Sequence, residues 1–166
     1  MATSGSSSMQ PALSAEEIGN RFLKLLEGLT SREDLSLERV QDVTGLTLEP
    51  SSKANFFGRL QPMEGGGSYI ITFVPETSSI KRGVGLDFIA ADATDSNLDA
   101  TCALAFASYR LALTGMGFAE LPIYGEIGQI HEWRYYRGDI TLSLNVQDAA
   151  TDAGTRACVT SVGTLN

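Results

Sequence analysis

At 166 residues the chain is long enough for one domain with a full hydrophobic core, and too short to favour two. Its 43% hydrophobic and 19% charged residues argue against a disordered chain, and no apolar run approaches the ~20 residues of a membrane-crossing helix. Twenty acidic residues against twelve basic ones give a formal charge of −8, which opposes a nucleic-acid backbone and would speed encounter with a basic protein.

The opening MATSGSSSMQPALS lacks the basic and apolar regions of a secretory signal, and residues 1–13 read as a flexible Ser/Gly-rich tail before a single domain over 14–166. A cytoplasmic location follows as the expectation, with Cys102 and Cys158 reduced and mostly buried rather than joined. Two cysteines and the lone His131 do not complete a four-ligand zinc site, so neither a metal nor a cofactor is expected.

From Ser14 the pattern S-A-E-E opens as a capping box, with Ser14 placed for the Glu17 amide and Glu17 placed to reach back. Ile18, Phe22, Leu25, Leu26 and Leu29 then recur at helical spacing. A shorter helix fits Leu37 to Thr44, with Leu37, Val40 and Val43 on one side and Gly45 as a left-handed stop.

After Pro50 the texture changes to short apolar or alternating runs broken by glycine. NFFGRLQ and SYIITFV flank PMEGGG, a flexible hairpin tip carrying Glu64. GVGLDFIA places Val84, Leu86 and Phe88 on one face and Gly83, Gly85 and Asp87 on the other, where small residues admit a close neighbour. Ser96 to Thr114 reads as a central helix with a stripe of Leu98, Cys102, Ala105, Tyr109 and Leu113. DSNLD at 95–99 imitates half a calcium loop, but Ala100 stands where glycine is needed and Phe106 where the closing Glu belongs, so it reads as an N-cap. FAELPIY, QIHEWRYY, DITLSLNV and RACVTSVGT are the last strands, with QDAATDAGT a polar loop between the final two. The fold class is α+β: a mainly antiparallel, curved sheet of about six to seven strands, with N-terminal helices and one central helix packed on it.

WRYYRGDITLSLNV fixes its own register if Gly138 and Asp139 form a Gly-first two-residue turn. Arg137 then faces Ile140, Tyr136 faces Thr141, Tyr135 faces Leu142, Arg134 faces Ser143 and Trp133 faces Leu144. A longer turn would set Glu132 and Arg134 against leucines. Trp133, Tyr135, Leu142 and Leu144 are therefore expected in the core, and Glu132, Arg134, Tyr136, Thr141, Ser143 and Asn145 outside. The RGD triplet is explained by the turn.

No G-x-S-x-G elbow and no phosphate loop occurs, and a triad would have only His131 for its base, so no enzyme is expected. In its helical N-terminal pair, strand groups around a middle helix, acidity and WRYYRGDITLSLNV hairpin, the chain resembles the small acidic α+β immunity proteins with which bacteria neutralise toxins. That resemblance implies an inhibitor of one cognate, basic toxin. The candidate partner contacts are Glu132, Arg134, Tyr136, Asp139 and Asn145, with Glu126, Asp87 and Glu64 as acidic neighbours. Two alternatives stand beside it: a dimeric secretion chaperone for an effector, and a small-ligand or enzymatic cleft beneath the glycine-rich strand near Asp87 and His131. Neither nucleic acid nor membrane is expected as partner.

Overall fold

The computed structural model describes residues 12–64, 66–89, 105–151 and 154–165. Most of the expected N-terminal tail, the DSNLD segment, the first half of the expected central helix and Cys102 lie outside them.

Helix α1 spans Ala15–Glu27, begun by the Ser14 hydroxyl, which accepts from the Glu17 amide at 3.1 Å. Its stripe of Ile18, Phe22, Leu25 and Leu26 is fully buried. A 3-10 turn over Arg32–Asp34 leads to α2, Leu37–Thr44, which Gly45 ends at φ 76°. That left-handed angle is open to glycine at little cost, and the predicted stop is where the helix ends.

The strands are β1 Glu49–Pro50, β2 Phe57–Pro62, β3 Ser68–Val74, β4 Gly83–Ile89, β5 Ala119–Tyr124, β6 Ile130–Arg137, β7 Ile140–Thr151 and β8 Gly154–Thr164, with α3, Phe106–Gly115, between β4 and β5. They form one antiparallel eight-stranded sheet in the order β1-β2-β3-β4-β8-β7-β6-β5. Tyr69, Ile71, Leu86, Val162, Leu144, Leu142 and Tyr135 carry the inner face, packed with the stripes of α1 and α3. From α3, Tyr109 and Leu113 enter this core, and the Tyr109 hydroxyl donates to the Gly19 carbonyl oxygen at 3.0 Å.

The late hairpin pairs in the expected register, from Arg137 with Ile140 through Trp133 with Leu144. Gly138 has φ 59° and Asp139 has no positive φ, which is the Gly-first turn. Gly138→Val should therefore lower the unfolding free energy by roughly 1–2 kcal/mol, read as a lower urea midpoint, because a β-branched residue resists that angle. An unchanged urea midpoint would refute the turn as the register-setting element.

Five expectations are corrected. The sheet has eight strands, not six to seven, because β1 is two residues long and too short to show a period. It is not strongly curled. Bulges and register shifts bend sheets, and the described shifts are confined to β5–β6 and β7–β8, while β2, β3 and β4 pair without interruption. The expected polar loop at 147–155 is largely ladder, with Gln147 opposite Cys158 and Thr151 opposite Gly154; small polar residues pair through their backbones without an apolar alternation to announce it. Finally, Ala105 is extended and bridges to Cys158, so no single helix runs from Ser96 to Thr114. Cys158 itself is 3% exposed and disulfide-bonded, not a reduced thiol.

Candidate functional site

Helices line one face of the sheet, and the alternate residues of each strand face the other way. Across β4, β8 and β7, Asp87 pairs with Ser161 and Asn145 pairs with Ser161, while Gly85 pairs with Gly163 and Ser143 pairs with Gly163. On β6, Arg134 stands beside Ser143 and Tyr136 beside Thr141. These residues are exposed or half-buried, in contrast to the buried leucines between them. The open face is therefore polar in its middle and floored by glycine towards β4.

Its polar groups hold one another. Glu132 Oε2 accepts from Arg134 Nε at 2.7 Å and from the Ser143 hydroxyl at 3.2 Å. Asn145 Nδ2 donates to Ser161 Oγ at 2.8 Å. The hydrogen bond from Arg134, followed by its charge, holds the Glu132 carboxyl below the ordinary range, so it is ionised at neutral pH. An exposed pair of this kind adds little stability, but it fixes two side chains in place before any partner arrives.

Asp87 behaves oppositely. Partial desolvation on the open face raises its carboxyl above the usual value, although its surface remains exposed. A raised acid pKa favours folding at pH values where the group is protonated, and that contribution is lost as pH rises through the folded value. Asp87→Asn should accordingly raise the thermal midpoint at pH 7 and leave it unchanged at pH 3. Equal effects at both pH values would remove desolvation as the cause.

Of the eight candidate contacts, Glu132, Arg134, Tyr136 and Asn145 share this face on β6 and β7. Asp87 shares it from β4, two strand steps beyond Asn145. Glu126 lies in the β5–β6 turn and Glu64 in the β2–β3 turn, towards opposite edges of the sheet; they do not join the cluster. Asp139 is engaged in the fold: its Oδ1 accepts from the Arg32 main-chain amide at 2.9 Å. The RGD turn is thus fastened at both ends, since Arg137 donates to the carbonyl oxygens of Leu26, Leu29 and Met116.

Sequence reasoning placed Trp133 wholly in the core, and the structure places it at the core's margin. It is half-buried against Phe106, ring centroids 5.2 Å apart, with the Arg110 guanidinium 5.0 Å from its own centroid. Arg110 also bonds Glu120, which accepts from the Tyr135 hydroxyl at 2.7 Å. His131 is exposed and is the extra residue of a bulge, because Ile123 pairs with Glu132 and Tyr124 with Ile130. A cavity of about 410 Å³ opens beside it, walled by Phe106, Trp133, Val146 and Ala157. Asp87 stands on β4, three strand steps from β6, roughly 14 Å away at the usual strand spacing. Asp87 and His131 do not make the shared cleft expected of them. The groups that sequence reasoning missed are Ser161 as a partner on the open face, and buried Arg32 and half-buried Arg137 as anchors; a hydroxyl residue alternating with valine signalled the first, and nothing local signalled the arginines.

Fold and face together define an α+β protein with one antiparallel sheet, helices on its inner side and a polar, pre-ordered outer side. No family model, curated protein or solved structure matches this chain. Among the described residues, no helix is long and apolar enough to cross a membrane.

Proposed function

We propose that the chain is a non-enzymatic protein-binding module of the immunity type, which docks a basic toxin on the open face of its sheet. One observation carries this reading: hydrogen bonds order two groups, Arg134-Glu132-Ser143 and Asn145-Ser161, on a face that no helix of the described residues covers, beside the exposed ring of Tyr136. Side chains ordered in advance lose less freedom on binding, and Tyr and Arg are the residues that most often anchor such contacts. The charge of −8 supplies steering towards a basic surface.

The disulfide at Cys158 favours an oxidising compartment over the cytoplasm as the place of action. A photo-crosslinking residue in place of Tyr136 should capture the same partner as one in place of Asn145, whereas one at Lys24 on α1 should not. Capture from Lys24 alone would refute the face. With the partner in hand, Glu132→Gln combined with Glu126→Lys should slow association and flatten its salt dependence.

A chaperone reading draws on a separate feature, the apolar end of the sheet. Leu121, Tyr124, Ile127 and Ile130 are exposed there, Ile127 by 87%, and β5 is an edge strand suited to an extended client. Pro122 lies within that edge and removes one donor. Light scattering separates the two readings, since the chaperone requires a dimer.

A further inference from the structure

Arg32 is a buried guanidinium that no carboxylate of the described residues holds. Its residue is 6% exposed, and its Nη1 and Nη2 donate to the main-chain oxygens of Arg82 and Leu165. Nε has no acceptor among the described residues. Asp139, whose charge acts on this group through space, gives Oδ1 to the Arg32 main-chain amide instead. A cation withdrawn from water and met by neutral carbonyls is costly, and an N–H left without an acceptor adds to that cost.

The same side chain borders a cavity of about 220 Å³ where the open face meets the end of β4. Gly85 and Gly163, paired across β4 and β8, lie under it, and a methyl group on Gly85 would come within 3.3 Å of Thr72 Oγ1. Val74 and Ile80 give it apolar walls, while Thr72 and Lys81 bring a hydroxyl and an ammonium group to its lining. The space is smaller than the ~300–1,000 Å³ of pockets for drug-sized molecules, which favours a small ligand.

We infer that this cavity binds a small organic carboxylate, its head at the Arg32 and Lys81 end and a short branched apolar body against Val74 and Ile80. The anion adds a counter-charge to that of Asp139, which acts only through space, and meets Arg32 where its side chain borders the cavity. This site stands apart from the protein-binding reading above and does not depend on it.

The test is an NMR titration of the full chain with isovalerate, with uncharged isovaleramide and with inorganic phosphate, all at one ionic strength. Isovalerate should move the amides of Gly83, Gly85 and Gly163 saturably, with a Kd of roughly 1 mM for so small a ligand. Isovaleramide should bind at least about tenfold more weakly, and phosphate more weakly than isovalerate. Lys81→Met and Ile80→Asp, both on exposed positions, should each weaken isovalerate by roughly tenfold while the circular dichroism spectrum keeps its parent form. Arg32→Met should abolish binding; if that variant does not fold, Lys81→Met and Ile80→Asp decide. Equal affinity for acid and amide, or shifts that spare the three glycines, would overturn the site. Phosphate binding as well as isovalerate would overturn its apolar half.

Discussion

Replacing Arg137 by methionine is expected to lower the stability of the whole fold by about 3 kcal/mol, seen as a fall in thermal midpoint of roughly 6–12 °C. The guanidinium donates at 2.9 Å to Leu26 O, also to Leu29 O, and at 3.2 Å to Met116 O, and it lies 4.5 Å from the centroid of the Phe118 ring. Leu26 belongs to the last turn of α1, and Met116 follows α3, so one side chain closes the carbonyl ends of two helices onto β6. Leu26 O also accepts from the Leu29 amide at 3.2 Å, and a cation at these carbonyl ends offsets the negative end of the helix dipole. Methionine keeps much of the stem's packing and leaves the carbonyls without this donor. Arg137→Lys should recover less than half of the loss, because an ammonium group cannot span three acceptors as the planar fork does. A lysine variant as stable as the parent would show that charge, rather than geometry, is what Arg137 contributes.

The second large effect concerns Cys158. Alkylation of the denatured but unreduced chain should leave this cysteine unlabelled, and labelling after reduction should expose it. The sequence offers Cys102 as the one other cysteine, and a crosslink closing a loop of that length restricts the unfolded chain enough to stabilise the fold by about 4 kcal/mol. Reduction, or Cys158→Ser, should therefore lower the thermal midpoint by roughly 8–16 °C. Identical midpoints with and without reductant would mean that the bond constrains nothing. Full labelling before reduction would restore the reduced thiol and with it the cytoplasmic expectation.

Local spacing made a large share of this fold legible. Helix α2 begins and ends at the predicted residues because Leu37, Val40 and Val43 repeat at a helical period and Gly45 accepts a left-handed angle. The faces of β4 and of the β6–β7 hairpin follow from two-residue alternation, since one register alone sets Tyr135 against Leu142 and Arg134 against Ser143. The open-face candidates Glu132, Arg134, Tyr136 and Asn145 came from that same alternation. Asp139 did not belong with them, because its partner lies 107 positions away in the chain.

What the amino-acid order determined by itself, then, is each element's period, its apolar side and the turn that sets the final hairpin, all governed by contacts within a few residues. Only the tertiary structure decided that β4 lies beside β8, that Arg32 and Arg137 serve as anchors, that Cys158 is oxidised and that Asp87 and His131 stand apart. Each of those facts depends on groups far apart in sequence meeting in space. Nearest-neighbour propensity and periodicity carry no information about such meetings, which are settled by how the apolar faces of all the elements are buried together.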